Sequence, residues 1–159
     1  MNDRLLFVCL GNICRSPAAE GVFLHQLKIQ GLEKQFVVDS AGTGGWHVGR
    51  PADSRMRNAA AQRGILLPSR ARQIKAKDLQ TFDLILTMDA DNLLNVQSLA
   101  GELGKMATAR IKPMLSYASK TSLQEVPDPY YGGDAGFEEV LDLLEDACKG
   151  LLDELKSQA

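Results

Sequence analysis

Residues 4–17 constrain this chain more than any other stretch. Leu5-Leu6-Phe7-Val8-Cys9 is an almost unbroken apolar run. It suits a strand buried on both faces, which in soluble proteins means a parallel sheet. The run passes into Gly11-Asn12, a turn signal. Ser16-Pro17 then opens a helix, with Ser16 expected as the cap and Pro17 in the first turn. That helix carries Ala18, Ala19, Val22, Phe23 and Leu27 and ends near Gly31. Parallel strands need crossover connections, so the rest of the chain must supply further strand and helix units.

Those units are readable. Residues 36–38 form a second strand that leads into Asp39-Ser40-Ala41-Gly42. Residues 43–51 read as loop, and residues 53–63 as a helix stopped by Gly64. Residues 82–88 are a third strand, after which Asp89-Ala90-Asp91 opens a helix. A weaker strand lies around Arg110 and Ile111. Phe137, Val140, Leu141, Leu144, Cys148, Leu151 and Leu155 mark a final amphipathic helix. Alternation of this kind predicts one α/β domain over residues 1–159, a three-layer sandwich around a parallel sheet. Ligands of such sheets bind beyond the carboxyl ends of the strands, where Cys9, Ser40 and Asp89 all fall.

Composition narrows the class. The 159 residues are 45% hydrophobic and 24% charged, enough for one real core and not the make-up of a disordered chain. A formal charge of −2 argues against a broad nucleic-acid-binding face. No apolar run approaches the length of a membrane span, and the first residues do not read as a secretory signal. Three cysteines, an odd number, point to a reducing, cytoplasmic setting in which a cysteine matters for its reactivity. His25 and His47 lack metal-ligand spacing, so neither a metal nor another cofactor is expected.

The chemistry is expected in Cys9-Leu10-Gly11-Asn12-Ile13-Cys14-Arg15-Ser16-Pro17. A tight loop between a strand and a helix N-terminus can turn successive N–H groups inward as a nest for a tetrahedral dianion. Arg15 follows Cys9 after five intervening residues, and its planar fork can hold two oxygens of that anion. The same positive surroundings favour the thiolate form of Cys9 and make it a nucleophile. Ser16 is placed to hydrogen-bond the sulfur. Neither Gly104-Lys105 nor the pair Gly42 and Gly44 completes any other phosphate-binding motif.

At these residues the sequence resembles the low-molecular-weight protein tyrosine phosphatase family. The segments Asp39-Ser40-Ala41-Gly42-Thr43, Thr87-Met88-Asp89 and Asp128-Pro129-Tyr130-Tyr131 extend the likeness along the chain in the same order. The resemblance implies a four-stranded parallel sheet with helices on both faces. It implies a protein tyrosine phosphatase that hydrolyses phosphotyrosine and small aryl phosphates through a cysteinyl-phosphate. Asp128, by itself an ordinary turn residue, becomes the general acid, and later the base that activates water. Cys9 must then be ionised while Asp128 is protonated, which predicts a bell-shaped rate profile centred below neutral pH. Tyrosine-phosphorylated proteins are the expected partners, with phosphate and related oxyanions as inhibitors.

The remaining assignments also follow the resemblance. Leu10, Gly11, Asn12, Ile13 and Cys14 line the anion and ring sites, and Tyr130, Tyr131 and Trp46 wall a crevice around the aromatic ring. Trp46 has the alternative of anchoring its own loop, and His47 reads as an exposed loop histidine. Asn12 and Ser40 are expected to hold the loop in shape. Asp89 could orient Arg15 or cap its helix, and the cap is the expectation. Cys14 is implied as the redox partner of Cys9, forming a disulfide that shields it from over-oxidation. Animal members carry histidines where this chain has Arg63 and Ser69, so the outer support of the loop is expected to differ. Two relatives in chemistry compete. Arsenate reductase needs extra relay cysteines, and only Cys148 is left, inside a helix. A phosphoarginine phosphatase is the other; Ile13, where that branch has threonine, and the paired Tyr130-Tyr131 favour phosphotyrosine. A non-enzymatic phosphate-binding module would not need the nucleophile, arginine and acid together.

Overall fold

A computed structural model describes residues 3–158. Four strands form one parallel sheet: β1 (Asp3–Cys9), β2 (Phe36–Gly42), β3 (Leu84–Thr87) and β4 (Arg110–Pro113), in the order β2-β1-β3-β4. Five helices surround it: α1 (Arg15–Gln30), α2 (Ser54–Ala61), α3 (Asp78–Thr81), α4 (Ala90–Leu103) and α5 (Asp134–Ser157). The three-layer arrangement inferred from sequence is therefore the one observed.

The apolar run of β1 explains both outer layers. Successive strand side chains point to opposite faces. Leu5, Phe7 and Cys9 pack into the larger core with Phe23 and Leu27 of α1 and Phe137, Leu141 and Leu144 of α5. Leu6 and Val8 face the smaller core with Ile85, Leu79 of α3 and Val96 of α4. Helix α1 ends at Gly31, whose φ of 69° is the left-handed conformation that glycine adopts without steric cost. Cys148 is fully buried in the larger core, where its thiol meets the Ala19 carbonyl at 3.8 Å.

Some boundaries differ from the sequence reading. Helix α1 begins at Arg15 after Cys14, and no side chain caps it. The Ser16 hydroxyl is turned toward the Cys9 sulfur instead, because a capping geometry is given up where the side chain has another partner. Strand β2 continues to Gly42, held by its register with β1, in which Cys9 pairs with Gly42. Strand β3 starts at Leu84, two residues later than expected.

The strand order places the site. The chain leaves β1 for β2 on one side and resumes at β3 on the other, so the crevice between the carboxyl ends of β1 and β3 is a switch point. Cys9 closes β1 and Asp89 follows β3, one on each side of that crevice.

Candidate active site

The loop between β1 and α1 is bent by Asn12, the only non-glycine residue with positive φ (57°) among those described. Its carbonyls face outward and are taken by neighbours. Thr43 N–H donates to Cys9 O (2.9 Å), Gly44 N–H to Leu10 O (2.9 Å) and Asp53 N–H to Ile13 O (2.8 Å). The N–H groups of Gly11, Asn12, Ile13 and Cys14 have no acceptor among the described residues. A row of free donors beside a helix N-terminus is a nest for an anion.

Arg15 is buried and held by its far side. Its Nη1 donates to Asp89 Oδ2 at 2.7 Å and to the Val126 carbonyl at 3.1 Å. This leaves the Nε and Nη2 edge for two oxygens of a bound anion. Nη2 also lies 3.6 Å from Asp128 Oδ2, whose side chain is 40% exposed. Burial opposes the charge of Arg15, but Cys9 and Asp89 outweigh it and keep the guanidinium protonated. Asp89 does both jobs weighed for it, and the preference for the cap alone is corrected. One carboxylate oxygen holds Arg15, and the other accepts from Asn92 N–H (2.8 Å) in a capping box at α4.

Cys9 Sγ sits 3.0 Å from Ser16 Oγ. The network behind Ser16 leaves its hydroxyl proton two acceptors, the Cys9 sulfur and the Ala41 carbonyl. Arg72 N–H donates to Asn12 Oδ1 (2.9 Å), which orients the amide. Asn12 Nδ2 therefore donates to Ser16 Oγ (2.7 Å) and to Ser40 Oγ (3.0 Å). The Ser40 hydroxyl in turn donates a hydrogen bond to buried Glu20, at 2.6 Å. Ser16 thus receives a hydrogen bond from Asn12, and once Cys9 is ionised its hydroxyl can donate to the sulfur 3.0 Å away, nearer than the Ala41 carbonyl at 3.4 Å. Such a donor stabilises a thiolate.

Cys14 is a different cysteine. Burial, with Asp53 adding to it, pushes its thiol up to about 12, so it stays protonated at neutral pH. The two histidine replacements have separated fates. Ser69 hydrogen-bonds Glu20 and belongs to the network behind the loop. Arg63 instead binds Glu138 (2.7 Å), Asp142 (2.9 Å) and Glu145 (3.2 Å) on α5 and has no contact with the loop among the described residues.

The aromatic wall is thinner than the sequence implied. Tyr130 is half-buried, but Tyr131 is 93% exposed and meets only the edge of Tyr130, ring centres 4.9 Å apart. Trp46 is 70% exposed, with its ring lying over Gly44. Leu10 is partly exposed and Ile13 is buried. His47, expected to be exposed, is half-buried: its ring covers Gly11 and lies 6.2 Å from that of Tyr130. Glu20, Asp53, Arg55 and Arg72 were not singled out from sequence. Each meets the site through residues distant in the chain, and no local spacing signals that.

A tight anion loop, a buried cysteine and a guanidinium beside an aspartate recur together in proteins of known family. The model of "Low molecular weight phosphotyrosine protein phosphatase" matches residues 4–159. The chain belongs to that family. A Synechocystis protein, named by inference a low molecular weight protein-tyrosine-phosphatase, is 51% identical over 152 residues, 96% of each chain. The protein tyrosine phosphatase of Entamoeba histolytica, solved with Hepes in its active site, is 41% identical with a TM-score of 0.93 over 99% of each chain. The arginine phosphatase of Drosophila is also similar, 33% identical with a TM-score of 0.92 over 98% of this chain and 99% of its own. Solved structures similar to this chain over nearly its whole length thus include one named a tyrosine phosphatase and one named an arginine phosphatase.

Proposed function

We propose that this phosphatase hydrolyses phosphotyrosine in proteins, using Cys9 as nucleophile, Arg15 as the phosphate clamp and Asp128 as the acid. The observation that carries the reading is Arg15, a buried guanidinium near enough to Cys9 for their charges to interact and 3.6 Å from Asp128. The phosphate sits on the free N–H groups of Gly11, Asn12, Ile13 and Cys14 and on the Nε and Nη2 edge of Arg15. The Cys9 sulfur attacks phosphorus, an S–P bond forms and the P–O bond to the ring breaks. The electron pair goes to the phenolic oxygen, which takes the proton of Asp128. Water then attacks phosphorus while the Asp128 carboxylate takes its proton. The S–P bond breaks, and Ser16 stabilises the sulfur as it leaves. Leu10, Ile13, His47 and Tyr130 flank the ring, with Trp46 and Tyr131 free to fold over a bound peptide.

A ring at the mouth suits tyrosine, whose aromatic side chain can pack against Tyr130, a contact that phosphoserine lacks. Buried Ile13 supports phosphotyrosine over phosphoarginine. The pairing of Cys9 with Cys14 as a reversible disulfide is part of the same proposal, as is a cytoplasmic home; no described helix is long and apolar enough to cross a membrane.

Kinetics with aryl phosphates test the roles. Cys9→Ser is expected to abolish turnover. Asp128→Ala is expected to lower kcat/KM by ~10²-fold or more for phenyl phosphate and much less for p-nitrophenyl phosphate, whose leaving group needs no proton. Undiminished turnover by Cys9→Ser would end the covalent mechanism. The four rates for phosphotyrosine and phosphoarginine with wild type and Cys9→Ser separate the two substrate readings.

A further inference from the structure

Arg55 takes no part in the chemistry above, yet it touches both halves of the site. On one side it binds Asp53, with Nε 3.1 Å and Nη2 3.0 Å from the carboxylate oxygens. Asp53 N–H in turn donates to the Ile13 carbonyl of the phosphate loop at 2.8 Å. On the other side, Arg55 Nη2 donates to the Tyr130 carbonyl at 3.0 Å. The N–H of that same Tyr130 donates to Asp128 Oδ1 at 3.1 Å. The guanidinium also lies over the Phe137 ring (4.7 Å to its centre) and beside that of Tyr130 (5.6 Å). A continuous line of hydrogen bonds therefore runs from Ile13 through Asp53, Arg55 and Tyr130 to Asp128.

The loop that carries Asp128 has few other anchors. The chain has no regular element between Tyr117 and Asp134. Val126 is tied down by Met88 and Arg15. Between residues 127 and 133, among the described residues, Arg55 makes the only hydrogen bond that reaches the backbone from outside the neighbouring loop and helix start. Proton transfer is steeply sensitive to such placement, because an error of about 1 Å can cost ~10²-fold.

We propose that Arg55 is a positioning residue for the general acid, fixing the Asp128 loop at a set distance from the phosphate loop. The proposal rests on Asp128 being that acid, and its test separates the two. Arg55→Met keeps bulk and the contact with Phe137 but loses the side-chain hydrogen bonds to Asp53 and to Tyr130. Arg55→Lys keeps the charge and can satisfy Asp53, but lacks the fork that also reaches Tyr130. The measurement is kcat/KM across aryl phosphates from p-nitrophenyl to phenyl phosphate, with the rate of Cys9 alkylation by iodoacetate as a second readout. In both variants, kcat/KM is expected to fall by ~10-fold or more for phenyl phosphate and within about 3-fold for p-nitrophenyl phosphate, with unchanged alkylation. In an Asp128→Ala background, Arg55→Met is expected to add no further dependence on the leaving group.

A uniform fall across the series, no fall at all, or slowed alkylation would each overturn the positioning role, because a general loss of structure moves all substrates together. If Asp128→Ala itself leaves the series unchanged, the acid assignment fails. If Asp128→Ala steepens the series and both Arg55 variants run parallel to wild type, only the role of Arg55 fails. Should Arg55→Met not fold, Arg55→Lys alone decides.

Discussion

Asn12 holds two properties that no other single residue supplies. Its φ of 57° lies where most side chains are strained and asparagine is tolerated. Its amide meanwhile ties Ser16, Ser40 and the Arg72 backbone together. These properties can be separated. Asn12→Gly is expected to keep the bend and lose the amide, so Ser16 is no longer held, Cys9 alkylation changes in rate and kcat falls by ~10-fold or more. Asn12→Ala adds strain, and urea unfolding is expected to show it less stable than Asn12→Gly by about 1 kcal/mol. Equal alkylation profiles for wild type and Asn12→Gly would remove the amide from the argument. The sequence made the bend legible, since Gly11-Asn12 is a turn pair. It did not show the partners, because Ser40 and Arg72 arrive from other strands and loops. Asp89 teaches the same thing: its cap is local and readable, its grip on Arg15 is not.

At the scale of elements, α1 carries a conflict in its middle. Glu20 is buried against β2, and burial raises its pKa above the ordinary carboxylate value despite hydrogen bonds from Ser40 and Ser69. The folded state therefore holds this proton more tightly than the unfolded chain does. As pH rises through the window between the two values, the unfolded chain loses its proton first, and stability falls. Glu20→Gln removes that dependence. It is expected to unfold at higher urea than wild type at pH 7, with the gap closing as pH drops toward 4. A gap that stays constant would contradict the assignment. The strands and the long helices were legible because their apolar patterns have a clear period. The start of α1 was not, because Ser16 resembles a cap in sequence and is used by the sulfur. His47 and Tyr131 were misjudged in opposite directions, since loop burial depends on what packs over the loop.

Across the whole molecule, the sheet order sets the geometry on which every local contact depends. The site lies where the strand order switches from one side of β1 to the other, and residues from β1, β2, the turn after β3 and the segment before α5 meet there. That convergence was readable in outline from strand ends alone. The fit between β2 and the loop was not. A Cβ on Gly42 would stand 2.7 Å from Leu10 O and 3.1 Å from Asn12 N, both backbone atoms that cannot swing aside. Gly42→Ala is expected to destabilise the protein by about 1–3 kcal/mol. Gly101→Ala, where a Cβ meets open space within α4, is expected to stabilise it by roughly 0.5–1 kcal/mol. Urea midpoints for the pair check both signs.

With no clearance between them, the outermost strand and the anion cradle behave as one solid piece. Heat that peels that border strand away dismantles the cradle in the same event, leaving no temperature range in which an intact body carries a dead centre. Loss of catalysis and melting then trace a single curve, and an anion that grips the cradle moves both together.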